Sequence, residues 1–160
     1  MTTGDAQTNN VYLSLGSNQG NKRKNMITAL ALLAERAGDI PSLSAFYETE
    51  PWGFDSEHTF LNAVAYLQTT LSPVELLALT QQIERELGRA VKSENRVYHD
   101  RPIDIDILLY DDLICETPEL TIPHPLMHRR RFVLEPLAEV APALRHPVLH
   151  RTVEELLHAL

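Results

Sequence analysis

Two aspartates separated by one residue stand inside an apolar strand pattern. Asp104 and Asp106 alternate with Ile103, Ile105 and Ile107. Because side chains two apart in a strand point to the same face, both carboxylates face one side, about 7 Å apart along the chain. Two carboxylates on such a face favour a divalent metal, since Mg²⁺ takes carboxylate oxygens together with phosphate oxygens. A solvent-facing strand with an acidic outer face is the alternative, and the isoleucines weaken it.

Arginines gather near this pair although the chain as a whole is acidic. The 160 residues carry 14 basic and 22 acidic side chains, a formal charge of -8. Eight of the 14 basic residues lie between positions 85 and 131, among them Arg89, Arg101 and Arg130. Guanidinium groups match phosphate geometry, so carboxylates with nearby arginines suit phosphoryl transfer. Solvated surface charge is the alternative, and the net charge disfavours nucleic acid as a partner.

A third set of residues suits a planar heterocycle. Phe60 lies two residues before Asn62, and Phe132 lies two residues after Arg130. Aromatic faces stack on a heterocycle, and an amide pairs with its donor and acceptor edge. His124 stands between two prolines that restrict its backbone, and it would contact a phosphate held by the arginines. Taken singly, each of these residues is more often structural.

The positioning elements follow from hydrophobic periodicity and turn residues. In order, we predict a strand at 11–16, a helix at 21–36, strands at 42–50 and 60–71, a helix at 72–88 and a strand at 103–110. This is the ferredoxin-like βαββαβ order of an α+β fold. It predicts an antiparallel sheet with both helices on one face and the other face free for a site. Residues 89–102 are predicted to be a mobile loop, and the remainder short strands and helices.

Length and composition set the remaining expectations. One domain commonly spans ~100–200 residues, so we expect a disordered tail at 1–10 and a single domain at 11–160. The single cysteine, Cys115, indicates a reducing compartment, and we expect a cytoplasmic monomer. No stretch reaches the ~18 apolar residues of a membrane span.

Several motifs occur in a characteristic order along the chain. They are Leu13-Ser14-Leu15-Gly16-Ser17-Asn18, Tyr47-Glu48-Thr49-Glu50-Pro51-Trp52-Gly53, Phe60-Leu61-Asn62-Ala63, Ile83-Glu84-Arg85-Glu86-Leu87-Gly88-Arg89, Asp100-Arg101-Pro102-Ile103-Asp104-Ile105-Asp106 and Pro123-His124-Pro125. The ordered set resembles the 6-hydroxymethyl-7,8-dihydropterin pyrophosphokinase family of folate biosynthesis. The resemblance implies a ferredoxin-like fold and transfer of pyrophosphate from ATP to the pterin hydroxymethyl group, with release of AMP.

The resemblance also implies roles for individual residues. Asp104 and Asp106 would bind two Mg²⁺ ions that bridge the ATP phosphates, and Arg89 and Arg101 would act with them in catalysis. The pterin pocket would comprise Thr49, Trp52, Gly53, Phe60, Asn62 and Phe132. The nucleotide side would comprise Gln81, Glu84, Arg89, Arg101, His124 and Arg130.

Two other classes of function compete with this one. A non-catalytic ferredoxin-like module that binds a small ligand would need no metal pair. A metal-dependent nuclease would use the same carboxylates and arginines on a phosphodiester. The net charge and the pairing of Phe60 with Asn62 speak against the nuclease.

Overall fold

The computed structural model describes residues 7–49, 59–88 and 102–160. Its elements are β1 Asn9–Ser17, α1 Lys22–Arg36, β2 Gly38–Leu43, β3 Tyr47–Thr49, β4 Phe60–Thr69, α2 Pro73–Gly88, β5 Asp104–Tyr110, β6 Cys115–Glu116, β7 Thr121–Ile122, a 3₁₀ turn Met127–Arg129, α3 Arg131–Val140 and α4 Val153–His158. None of the described helices is long and apolar enough to cross a membrane. The predicted loop at 89–102 lies outside these residues, except for Pro102.

An antiparallel sheet carries the fold. Its strand order is β2-β4-β1-β5, and β3 also pairs with β4. Every described pairing in it is antiparallel. The predicted α+β class, with helices packed on an antiparallel sheet, is therefore confirmed.

The two faces of the sheet pack against different helices. Val11, Leu13 and Leu15 of β1 belong to the apolar cluster that includes Met26 of α1 and Ile83 of α2. On the opposite face, Val64 and Leu108 pack with residues of α3 and α4. The expectation that this second face is free is therefore wrong over part of its area, because the C-terminal helices cover its apolar rows.

Local chemistry explains where the first helices begin and end. The Asn21 side chain accepts a hydrogen bond from Lys24 N–H and so caps α1. Ser72 and Glu75 exchange side-chain and backbone bonds at the start of α2, which is the predicted capping box. Gly38 follows α1 with φ 151°, and a Cβ there would lie 2.0 Å from the Gln68 carbonyl oxygen. Only glycine fits this crossing from helix to strand.

Several predicted boundaries differ from the structure: β2 begins at Gly38, four residues before the predicted strand at 42–50, and β4 ends at Thr69, two residues before its predicted end. Asn9 and Asn10, expected in the tail, are the first residues of β1 because they pair with Thr69 and Gln68. The predicted strand at 42–50 is two strands, since the chain leaves β2 after Leu43 and resumes pairing at Tyr47.

Candidate active site

Two rows of side chains cross the face of the sheet that α1 and α2 leave uncovered. Gly16 of β1 pairs with Asn62 of β4 on one side and with Asp104 of β5 on the other. In the next row of this face, Ser14 lies opposite Asp106. Neighbouring strands are about 4.8 Å apart, so the backbones of residues 62 and 104 are roughly 10 Å apart. The sheet thus places an amide and a carboxylate pair on either side of a glycine.

Gly16 keeps the space between them open. A Cβ at this position would lie 3.0 Å from Asn62 Oδ1 and 3.5 Å from Phe60 Cδ1. The first distance is tighter than an ordinary contact and the second is an ordinary one, so a side chain here would push the amide aside and would pack against the phenyl ring. The predicted Phe60 and Asn62 pair therefore lies over Gly16, facing the row that ends in Asp104.

The amide of Asn62 is oriented by the neighbouring strand. Its side chain is 4% exposed, and its Nδ2 donates to Thr49 Oγ1 at 2.6 Å. Because the amino group is bound by Thr49, the amide oxygen is the atom presented toward Gly16. Thr49, at the end of β3, thus orients the group predicted to recognise a heterocycle.

Helix α3 holds β3 in place. The carboxylate of Glu139 accepts hydrogen bonds from the Tyr47 hydroxyl at 2.7 Å and from Ala45 N–H at 3.1 Å. The bond to this carboxylate raises the pKa of Tyr47 to about 12, so the phenol stays protonated. Glu139 therefore fixes the strand that carries Thr49, a link that the motifs do not suggest because the two segments lie far apart in sequence.

Asp104 and Asp106 offer two carboxylates of the kind that bind Mg²⁺. Both are half-buried on β5, and no cluster of three or more acidic, histidine or cysteine side chains suited to a metal occurs in the described part of the chain. Mg²⁺ is commonly bound by one or two carboxylates and takes its remaining ligands from water and phosphate. The pair therefore fits a metal that arrives with a phosphorylated substrate.

A cavity adjoins the carboxylate pair. It has a volume of about 260 Å³, and Asp106 and His124 line it together with Leu77 and Thr121. Its lining combines apolar side chains, such as Leu77 and Leu120, with polar ones, such as Asp106 and His124. Its position beside Asp106 suits a nucleotide whose phosphates reach the carboxylates.

His124 is fixed and neutral at this cavity. Its backbone N–H donates to the Leu108 carbonyl of β5 at 3.0 Å, and its ring Nδ1 accepts a hydrogen bond from the Leu126 backbone N–H at 3.2 Å. Burial, and then the charge of Arg130, lower the pKa of His124 from 6.5 to about 4. Near neutral pH the ring therefore carries its proton on Nε2 and acts as a hydrogen-bond donor.

The lowered pKa of His124 predicts a pH-dependent stability. Between pH 6.5 and 4 the unfolded chain binds a proton that the folded chain does not, so stability is complete above pH 6.5 and falls as pH drops toward 4. Allowing for the partial exposure of His124, the free energy of unfolding should fall by about 2 kcal/mol over this range. When the free energy of unfolding is measured by urea titration at several pH values in this range, it should change less steeply with pH in His124→Gln than in the wild type. His158→Gln, at an exposed position, should keep the wild-type pH dependence. Equal slopes for His124→Gln and wild type would contradict this origin.

Arg130 lies between the two halves of the site. Its guanidinium carbon is 5.5 Å from the centroid of the Phe132 ring, and its charge reaches His124. The side chain is 9% exposed. A cation over an aromatic face is attractive, especially where water is excluded. Arg130 thus connects Phe132 with the cavity that His124 lines.

Comparison with known proteins decides which family this site belongs to. The family model described as 7,8-dihydro-6-hydroxymethylpterin-pyrophosphokinase matches residues 12–142. The chain belongs to this family. The match runs from β1 into the end of α3 and includes every residue of the site described above.

Named relatives agree with the family. A 2-amino-4-hydroxy-6-hydroxymethyldihydropteridine pyrophosphokinase of Porphyromonas gingivalis is 56% identical over 138 residues, covering 86% of this chain and 93% of the relative. The Aquifex aeolicus protein of the same name is 39% identical, covering 91% and 88%. The folic acid synthesis protein fol1 of Schizosaccharomyces pombe is 41% identical over 150 residues, or 93% of this chain and 20% of the relative.

Solved structures share the fold. A Plasmodium falciparum HPPK-DHPS structure with STZ-DHP has a TM-score of 0.75 and 20% identity, covering 97% of this chain and 42% of that one. The A437G variant with SDX-DHP has a TM-score of 0.77 and 18% identity, covering 98% and 46%. The chain therefore spans less than half the length of these solved chains.

The predicted pyrophosphokinase family and its ATP-dependent transfer to hydroxymethyldihydropterin are confirmed by the family match and the named relatives.

The structure separates the predicted pyrophosphokinase site residues into three groups. It brings together Thr49, Phe60 and Asn62 on one side, and Asp104, Asp106, His124, Arg130 and Phe132 around β5 and the turn that follows it. Gln81 is exposed on α2 and is not among the described residues lining the cavity, whereas Glu84 bonds the backbone of β5. Trp52, Gly53, Arg89 and Arg101 lie outside the described residues, and their roles stay predictions.

Other residues that line the cavity beside Asp106 were missed in the sequence. Leu77 of α2 and Leu120 and Thr121 of the β6–β7 hairpin line the cavity. The spacing of Leu77 in its helix indicates only a core position. The hairpin residues carry no chemical signal, and their contribution depends on how a two-stranded ribbon folds beside β5.

Proposed function

We propose that the chain transfers pyrophosphate from ATP to 6-hydroxymethyl-7,8-dihydropterin, releasing AMP, with Asp104 and Asp106 binding two Mg²⁺ ions. The observation that carries the proposal is the row Asn62, Gly16 and Asp104 across three strands. It sets a heterocycle-recognising amide about 10 Å from a carboxylate pair suited to phosphate-bound metal. Family membership supports the reaction, and the row supports the residues assigned to it.

The pterin end of the site rests on shape and hydrogen bonding. Phe60 and Phe132 would stack on the ring, and the Asn62 amide would pair with its edge. Because Gly16 leaves space beneath the ring, the hydroxymethyl group would extend along the row toward Asp104. Thr49 would hold the amide in register with the bound pterin, with Trp52 and Gly53 completing the pocket.

The nucleotide end rests on the cavity beside Asp106. The base would enter between Leu77 and Thr121, and His124 would donate its Nε2 hydrogen to a phosphate oxygen. A neutral donor suits this position, because it keeps its proton at every pH well above 4. Arg89 and Arg101 are our candidates for the remaining phosphate contacts.

The reaction follows from this placement. The pterin hydroxyl oxygen attacks the β-phosphorus of ATP, the bond from that phosphorus to the α-phosphate oxygen breaks, and AMP leaves with that oxygen. Two Mg²⁺ ions held by Asp104 and Asp106 would neutralise phosphate charge and favour the deprotonated hydroxyl. The protein itself positions the two substrates and excludes water, and such orientation supplies much of the rate in phosphoryl transfer.

One assay tests the proposed function. The protein is mixed with ATP, Mg²⁺ and the reduced hydroxymethylpterin, and AMP is quantified with and without the pterin. We expect AMP only when pterin and Mg²⁺ are both present. AMP without pterin, or pterin-dependent AMP that persists in excess chelator, would contradict the proposal. Cleavage of RNA or DNA would instead favour a nuclease, and no turnover would favour a binding module; family membership argues against both.

We further propose that the chain from Asn9, where β1 begins, to Leu160 acts as one domain and as a monomer in the cytoplasm. The continuous sheet with α3 and α4 packed on it supports the single domain. The lone cysteine supports a reducing compartment.

A further inference from the structure

The backbone amide between the two candidate metal ligands is bound by a charged side chain from a helix. Ile105 lies between Asp104 and Asp106, and its N–H donates to Glu84 Oε2 at 2.7 Å. Within the described sheet, β5 pairs only with β1, so alternate N–H groups of β5 face away from the ladder. Glu84 thus binds the strand at the peptide group that joins Asp104 to Ile105.

We propose that Glu84 is a positioning residue that fixes the backbone of β5 and thereby the direction of both carboxylates. The inference rests on the proposed function of Asp104 and Asp106. A hydrogen bond to a carboxylate is roughly twice as strong as one between neutral groups. Ile105 is 5% exposed, so loss of this acceptor leaves a buried N–H unsatisfied unless the strand shifts. Because an unsatisfied buried N–H is costly, we expect the strand to shift toward a new acceptor, and this shift would move the carboxylates.

The helix that supplies Glu84 is itself held by the core. Leu76, Thr80 and Ile83 of α2 are buried, and their spacings of four and three residues place them on one face of the helix. Burial of this face fixes the rotation of the helix about its axis. Ile83 immediately precedes Glu84 and is 0% exposed. The carboxylate therefore reaches β5 from a rigid support, as a precise ligand geometry requires. The resemblance implies that Glu84 faces the nucleotide, whereas this contact gives it a role exerted through the protein backbone.

Two matched substitutions separate reach from charge. Glu84→Gln keeps the length of the side chain and a hydrogen-bond acceptor but loses the charge. Glu84→Asp keeps the charge but is shorter by one carbon. Gln82→Ala, at an exposed position of the same helix, is the control. The readouts are amide hydrogen exchange at Ile105 by NMR in the metal-free protein, Mn²⁺ affinity in the presence of a non-hydrolysable ATP analogue, and steady-state kinetics.

We expect Glu84→Asp to speed exchange at Ile105 roughly 10- to 100-fold, as loss of a charged hydrogen bond implies, with amides of β1 unchanged. Mn²⁺ affinity and kcat should each fall at least about tenfold in Glu84→Asp, while KM for the pterin changes little. Glu84→Gln keeps the reach but makes only a neutral hydrogen bond, so it should recover about half of each loss on a logarithmic scale. Gln82→Ala should match wild type.

Two results would overturn the inference. Unchanged exchange at Ile105 in Glu84→Asp would show that the contact does not hold the strand. Better metal affinity and kcat in Glu84→Asp than in Glu84→Gln would show that the charge acts on the ligands directly. If the wild type makes no AMP, the proposed function fails, while the exchange measurement still decides whether Glu84 fixes β5.

Discussion

Asp104→Ala and Asp106→Ala are each expected to lower kcat by at least about a thousandfold, close to abolishing turnover. The two carboxylates share one face of β5, opposite Gly16 and Ser14 of the central strand. Within the described residues no further acidic or histidine cluster suits a metal. One remaining carboxylate would therefore be left to hold both ions against water, and the phosphates would lose their fixed position.

The fold should survive both substitutions. Both aspartates are half-buried, and the core side of β5 is formed by Ile105 and Ile107, so neither substitution opens a cavity in the core. AMP formation and circular dichroism on the same preparations provide the measurement. Asp112→Asn, at an exposed position just after β5, is the matched control and should retain full activity. Near-normal turnover with Mg²⁺ in either aspartate variant would rule out the proposed metal site.

Asn62→Leu should lower kcat/KM for the pterin by about a hundredfold or more. Asn62 is 4% exposed, and leucine keeps the number and branching of its side-chain heavy atoms, although it is larger, while removing every side-chain hydrogen bond. Sites built to hydrogen-bond a substrate discriminate strongly when those bonds are lost, because buried polar groups are left unpaired. The Thr49 hydroxyl would also lose the 2.6 Å bond it accepts. Binding of an ATP analogue, measured by calorimetry, should be unchanged.

A graded variant and a control sharpen this second prediction. Thr49→Val removes the hydroxyl that orients the Asn62 amide. It should lower kcat/KM for the pterin about tenfold, which is less than the decrease expected when the amide itself is removed. Gln68→Leu alters an amide of the same strand at its far end, where its Nε2 donates to the Tyr66 hydroxyl, and should leave pterin kinetics intact. If Gln68→Leu and Asn62→Leu lowered kcat/KM for the pterin equally, the effect would come from disturbance of β4 and not from loss of pterin recognition by Asn62.

Strand patterns made much of this architecture predictable. The alternation in β4 correctly placed Asn62 and Val64 on the face opposite Ala63 and Ala65, because a period of two directs alternate side chains to opposite faces. The same rule put Asp104 and Asp106 together. It failed at 42–50, where Ser44 binds the backbone of Val64 through both its N–H and its hydroxyl and so ends regular pairing of β2.

Contacts between segments far apart in the sequence could not be predicted from local sequence patterns. The bond from Ile105 N–H to Glu84 depends on the angle at which α2 crosses the sheet, and no motif encodes that angle. The clamp from Glu139 to Tyr47 joins residues 92 positions apart. The hairpin that lines the cavity beside Asp106 has ordinary turn composition. In each case tertiary packing, and not local preference, determines which groups meet.

The contacts along the outer side of β5 also bear on solubility. A strand reading Ile-Asp-Ile-Asp-Ile-Leu-Leu at the open edge of a sheet is a template for pairing with another chain. Here the Ile105 N–H is taken by Glu84 and the Leu108 carbonyl by the backbone of His124. Two of the outward groups that a foreign strand would need are thus already bonded. The same contacts that hold the two carboxylates therefore also protect the enzyme against aggregation through this edge.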